Sequence, residues 1–148
     1  MTYYFAYGSN MDQRQMRERC PDSKLLGAAV LKDHRLDFTI YSTRWKCGCA
    51  DVVEDEGKEV WGLVYAVSEN DLTRLDGYEG HPVYYRRSEV HVADVTGALI
   101  HAYTYKVSTR CPYQAPSPAY LGIIQKAAEE FQFPQGYRGR LERFDHTP

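Results

Sequence analysis

The chain has 148 residues, 43% of them hydrophobic, with 18 Lys plus Arg against 20 Asp plus Glu and a formal net charge of -2. That near balance gives no electrostatic reason to coat nucleic acid or an anionic membrane. The length suits one domain, 1–148, able to bury roughly 70% of its unfolded surface, and the composition excludes disorder as a description of the whole.

Thr2 to Ala6 is β-favouring and runs into Tyr7-Gly8-Ser9-Asn10. Asp12 reads as a helix N-cap, with Gln15 as the other half of a capping box. The helix extends to about Arg19 and stops at Cys20-Pro21. Leu25–Leu31 and Leu36–Tyr41 read as two strands around the polar turn Lys32-Asp33-His34. A loop through Trp45, Gly48 and Ala50 enters the next strand, and Asp55-Glu56-Gly57 is a turn signal. Val60–Val67 is a strand buried on both faces. Ser68, with Asp71 three residues on, starts a short helix carrying Leu72 and Leu75, ended by Asp76-Gly77-Tyr78-Glu79-Gly80. Val83–Val95 and Ala98–Val107 form a hairpin through Thr96-Gly97, with Leu99, His101, Tyr103, Tyr105 and Val107 on one face. Ser117-Pro118 opens a helix with Leu121, Ile124, Ala128 and Phe131 at helical spacing, up to Pro134. Leu141 and Phe144 are candidates to dock one last helical turn. The order β-α-β-β-β-α-β-β-α has strands that mostly follow one another directly. It predicts an α+β fold with a mainly antiparallel sheet, curled or closed into a small barrel.

The longest apolar runs, Leu25–Leu31 and Val60–Val67, fall short of the ~20 residues of a membrane helix. Met1-Thr2-Tyr3-Tyr4-Phe5 carries neither a basic region nor a cleavage site, so no export signal is read. Cys20, Cys47, Cys49 and Cys111 are therefore expected as reduced thiols in a cytoplasm. Cys47-Gly48-Cys49 lacks the two to four intervening residues of a paired zinc motif, and no metal is expected. No P-loop, dinucleotide fingerprint or nucleophile elbow is present.

Two places carry candidate chemistry. Tyr7-Gly8-Ser9-Asn10, a strand-to-helix turn containing Gly, can aim several backbone N–H groups at one anion or polarised carbonyl. It can equally be an ordinary turn in which Ser and Asn satisfy nearby backbone. Glu79, placed just past a helix end, can act as a general acid or base if an apolar site raises its pKa, or be a solvated loop carboxylate.

The run Tyr4-Phe5-Ala6-Tyr7-Gly8-Ser9-Asn10-Met11 resembles the N-terminal signature of the γ-glutamylcyclotransferase family. Leu36-Asp37-Phe38, Trp45 before Gly48-Cys49-Ala50, and Glu59-Val60-Trp61-Gly62 follow in that family's order. So do Leu75-Asp76-Gly77-Tyr78-Glu79-Gly80 and Pro116-Ser117-Pro118-Ala119-Tyr120. The resemblance implies a small mixed, mostly antiparallel β-barrel of five to seven strands flanked by helices. It implies an enzyme, a monomer or homodimer, that turns a small-molecule γ-glutamyl amide into 5-oxoproline and an amine without a cofactor. Glu79 would be the general acid/base, and Tyr7, Gly8, Ser9 and Asn10 would hold the substrate. Tyr85, Tyr113 and Tyr120 would line the site. Cys47 and Cys49 flank a stretch that is tighter and richer in glycine elsewhere in the family, which bears on substrate identity. Cleavage of a γ-glutamylamine or of a γ-glutamyl-protected biosynthetic intermediate, or ligand binding without catalysis, are alternative readings.

Overall fold

A computed structural model describes residues 1–148. Strand β1 (Thr2–Ala6) leads through a 3-10 turn (Ser9–Met11) into helix α1 (Gln13–Arg19). Two long strands follow, β2 (Lys24–Ser42) and β3 (Cys47–Val67), then helix α2 (Glu69–Glu79). Strands β4 (Tyr85–Asp94) and β5 (Leu99–Val107) precede helices α3 (Pro118–Glu130) and α4 (Gln135–Glu142). The strands close into a barrel in the order β1-β3-β2-β4-β5. Every pairing is antiparallel except the closing one, where Tyr4 of β1 meets Tyr103 of β5 in parallel. This is the mixed, mostly antiparallel α+β barrel expected, with five strands. No helix is long and apolar enough to cross a membrane.

The strands expected at Leu25–Leu31 and Leu36–Tyr41 are one strand, β2. Asp33 adopts a left-handed conformation (φ 59°) opposite Gly57 (φ 83°), and the Gly57 N–H donates to Asp33 Oδ1 at 3.0 Å. Asp and Gly tolerate that conformation. The two turn signals therefore face each other as one irregularity, and the β2–β3 hairpin continues through it with a register shift. The face shared by Leu99 to Val107 changes role along β5: Leu99 and His101 are exposed, Tyr105 and Val107 buried.

The core is continuous through the barrel and under the helices, with Phe5, Phe38, Val52, Val60, Leu63, Leu75 and Ile124 fully enclosed. Helix α2 starts at the capping box of Ser68 and Asp71. Helix α3 starts with Ser117 accepting from the Tyr120 N–H at 3.1 Å, and Pro118 at its first position. The expected C-terminal turn is a two-turn helix, α4. Its Leu141 is buried, and Phe144 beyond it packs edge-on against Phe38 at 4.9 Å. Gly48 is held close to the segment before α3. Its N–H donates to the Ala115 carbonyl at 2.9 Å, and a Cβ there would stand 1.8 Å from the Gln114 carbonyl oxygen.

Candidate active site

β1 ends at the barrel rim and hands the chain to the turn Tyr7–Asn10. The backbone N–H groups of Gly8, Ser9 and Asn10 donate to no acceptor of the protein. Asn10 is 3% exposed and fully engaged. Its Oδ1 accepts from Gln15 Nε2 at 2.9 Å and from Arg19 Nη1 at 3.0 Å. Guanidinium can only donate, which fixes the amide orientation. Asn10 Nδ2 therefore points the other way, donating to the Tyr4 hydroxyl at 2.9 Å and to Glu79 Oε1 at 3.4 Å. The Asn10 carbonyl accepts from the Tyr65 hydroxyl at 3.0 Å. Ser9 Oγ accepts from Gln15 Nε2 at 2.9 Å.

This corrects the capping-box reading of α1. Asp12 does cap the helix, accepting from the Arg14 N–H at 3.2 Å. Gln15 instead reaches into the turn. With Arg19 at the i+4 position, it lies on the α1 face that looks at the turn. That spacing was the available signal for Arg19, which the sequence reading left without a role, and for the true partners of Gln15.

Glu79 is the last residue of α2, not a residue beyond it. Gly80 takes the left-handed cap (φ 65°) that ends the helix. The Glu79 carboxylate faces a cavity of about 360 Å³. Burial raises its pKa from 4.5 to about 7, against the pull of Arg19 and Arg44. It therefore changes charge near neutrality with a single, long hydrogen bond to the protein.

Tyrosines make the opposite wall, and Ala50 of β3 holds two of them. Its N–H donates to the Tyr120 hydroxyl at 3.0 Å, and its carbonyl accepts from the Tyr85 hydroxyl at 2.7 Å. The Tyr7 hydroxyl donates to the Tyr105 carbonyl at 2.5 Å. Burial pushes the Tyr7, Tyr85 and Tyr120 hydroxyls well above their ordinary range, so all three stay neutral. Cys49 also lines the cavity; burial pushes its thiol up to about 12, leaving no thiolate to act as nucleophile.

Tyr7, Gly8, Ser9, Asn10, Glu79, Tyr85 and Tyr120 thus meet around one cavity. Tyr113 does not. Its hydroxyl donates to the Asp145 carbonyl and its ring stacks on Phe144, outside the cavity. Its segment is held by backbone hydrogen bonds to Phe38 and Thr39 of β2 and to Gly48 of β3, and Tyr113 points from it toward Asp145 and Phe144 rather than into the cavity. Tyr4, Arg19, Arg44, Trp45 and Tyr78 line the cavity without having been read from the sequence. No group of three or more His, Cys, Asp or Glu side chains is placed to hold a metal ion.

A sequence model of the family described as "Gamma-glutamyl cyclotransferase, AIG2-like" matches residues 4–122. The chain belongs to the γ-glutamyl cyclotransferase, AIG2-like, family. It is 33% identical over 147 residues to the γ-glutamylcyclotransferase of Mus musculus, across 96% of this chain and 78% of that protein. The Homo sapiens γ-glutamylcyclotransferase is 34% identical over the same shares. A solved γ-glutamyl cyclotransferase structure superposes with a TM-score of 0.92 at 32% identity, covering 99% of this chain and 89% of that one. The cyclotransferase signature at Tyr4–Met11 and the turn Leu75–Gly80 both fall inside the matched region, and both reach the cavity.

Proposed function

We infer that this chain is a γ-glutamylcyclotransferase, an enzyme that closes the glutamyl part of a γ-glutamyl amide into 5-oxoproline and releases the amine. The observation that carries the assignment of roles is the Glu79 carboxylate, poised at about pH 7 beside three undonated N–H groups of the Gly8–Asn10 turn. Glu79 takes a proton from the substrate α-ammonium. The freed amine attacks the γ-carbonyl carbon, and the turn's N–H groups receive the developing oxyanion. Protonated Glu79 then gives its proton to the departing nitrogen, the oxyanion collapses and the old amide bond breaks. The carboxylate next takes the surplus proton of the ring nitrogen and passes it to the released amine, leaving the neutral five-membered lactam.

The magnitudes suit these parts. Nucleophile and electrophile are in one molecule, so holding a single ring-closing conformer can remove on the order of 7–11 kcal/mol of barrier. Preorganised donors at the oxyanion add about 3–4 kcal/mol each. An ammonium is not a nucleophile, so a base is obligatory, and one that titrates near the working pH transfers protons in both directions well. No step draws on a metal or an organic cofactor. Tyr7, Tyr85 and Tyr120 shape the wall against which the glutamyl chain folds back, and one such domain suffices for the reaction.

The test is release of 5-oxoproline, followed by mass spectrometry, from γ-glutamyl amino acids, γ-glutamyl amines and glutathione. Glu79→Gln is the control. Release by the wild type that is absent in the variant is the expected result. Equal release by both sinks the role of Glu79. Thermal stabilisation by these compounds without product favours a binding protein instead.

A further inference from the structure

The residues that hold the glutamyl part are interior, whereas one charged residue lines the same cavity from outside. Arg44 sits on the turn that joins β2 to β3. That turn is pinned: the Lys46 N–H donates to the Ser42 carbonyl at 2.7 Å, and the Trp45 N–H donates to Ser42 Oγ at 3.1 Å. Trp45 next to it packs edge-on against Tyr120 at 5.1 Å. The backbone under Arg44 is therefore fixed over the cavity, while its side chain is exposed.

Two guanidiniums and one carboxylate line this cavity. They flank the Tyr78 ring, with Arg19 at 4.7 Å and Arg44 at 5.8 Å from its centroid. Arg19 is 6% exposed and committed to Asn10. Arg44 makes no hydrogen bond, and no carboxylate oxygen lies within 4.0 Å of it, unlike Arg35, Arg87 and Arg110. A γ-glutamyl group brings one ammonium and one carboxylate, whose charges the Glu79 carboxylate and the Arg19 guanidinium of the cavity already balance. Arg44 is then a surplus positive charge at the cavity mouth, on the exposed side where the departing amine must lie.

We propose that Arg44 determines leaving-group specificity by pairing with a carboxylate on the departing amine, so that γ-glutamyl amino acids are preferred over uncharged γ-glutamyl amines. The inference rests on the cyclotransferase reading and adds the residue that reads the leaving group. The carboxylate takes no part in bond changes, so the contact is equally strong before and in the transition state. Its loss falls on KM for the acid, whereas the effect of Arg44 on the proton affinity of Glu79 acts on both substrates alike and cancels in their ratio.

The experiment compares γ-glutamyl-alanine with γ-glutamyl-ethylamide, which differ by that carboxylate, in the wild type, Arg44→Gln and Arg44→Glu. The ratio of kcat/KM for the acid over the amide is expected to fall about tenfold in Arg44→Gln, the size of one partly exposed charge-assisted contact. The fall should come through KM for the acid. Arg44→Glu should go further and favour the mono-γ-glutamyl derivative of ethylenediamine, whose leaving group is cationic. A ratio that moves less than twofold in Arg44→Gln overturns the proposal, as does an Arg44→Glu enzyme that keeps its preference for the acid. Wild-type protein that releases 5-oxoproline from neither compound overturns the cyclotransferase reading, and the role of Arg44 with it. Matching melting curves show that the variants are folded.

Discussion

Two carboxylates of this domain have opposite lives. Asp51 of β3 is completely buried and completely engaged. It accepts from the Thr39 hydroxyl at 2.8 Å, from the Val107 N–H at 3.0 Å and from Arg110 Nε at 2.6 Å. Glu79 opens on the cavity and accepts a single hydrogen bond, at 3.4 Å. Two arginines stand near it, yet burial wins and moves it to about 7. Asp51 is the deeper of the two, so pairing rather than depth separates them. A buried acid whose lone pairs are filled is a structural strut that ties β2, β3 and the end of β5 together. A buried acid left short of donors holds its proton near neutrality and is free to exchange it.

The largest expected effect breaks that contrast from the reactive side. Glu79→Gln should lower kcat/KM for 5-oxoproline release by about 10³-fold, within the range of a lost general acid/base. The same variant should be more stable than wild type at pH 8. Glu79 is raised in the folded state, so its favourable contribution is present below pH 4.5 and is lost as the pH climbs through about 7. Above that, the charged form costs up to about 3 kcal/mol, which glutamine removes. Urea melts at pH 5 and pH 8 check this: the gain from glutamine should grow between the two.

Asp51→Ala breaks it from the other side. It strands the Val107 N–H and the Thr39 hydroxyl and leaves Arg110 without its partner, so a loss of about 3 kcal/mol is expected in urea. The acid limb of the pH–rate profile should stay where it is. For wild type that limb should show kcat/KM rising with pH and a midpoint near 7, because the base must be deprotonated. Removing a cation sharpens the point. Arg19 and Arg44 both hold the Glu79 pKa down, so Arg44→Gln should move the midpoint upward. A midpoint that moves down, or stays at the ordinary carboxylate value, would remove Glu79 from the role of base.

The tyrosines give the smallest effects and the cleanest spatial control. Tyr120→Phe leaves the Ala50 N–H without its acceptor, at a cost of about 1–2 kcal/mol, and should also slow turnover. Tyr113→Phe loses one exposed hydrogen bond outside the cavity and should change turnover by less than twofold.

What could be read from the chain was whatever depends on neighbours in sequence. Strand β1, the cap of α2 at Ser68, the Ser117-Pro118 start of α3 and the Thr96-Gly97 turn are local signals, and the fold uses all of them. The cyclotransferase motifs named the Tyr7–Asn10 turn and Glu79 because they lie in short, ordered words. The misreadings came where a local signal had a distant partner. Lys32-Asp33-His34 and Asp55-Glu56-Gly57 each look like a strand end, yet across the hairpin each absorbs the other's irregularity. Gln15 has the spacing of a capping residue, but Ser9 and Asn10 compete for its amide and win. Tyr113 is in a segment that touches β3, and only the packing of Phe38 and Phe144 decides which side it faces.

Sequence alone therefore determined the kinds of element, the family, and which acid and which turn are the candidates for the chemistry, because local propensity and motif order survive without knowledge of contacts. Tertiary structure decided everything that needs two distant segments to meet. Tertiary packing brings the end of α2 against the turn between β1 and α1. That meeting buries Glu79 among Asn10, Tyr4 and Arg19, leaves it almost unpaired, and sets its proton affinity. A carboxylate's chemistry is the free-energy difference between its charged and neutral forms, and that difference is set by the groups around it in space.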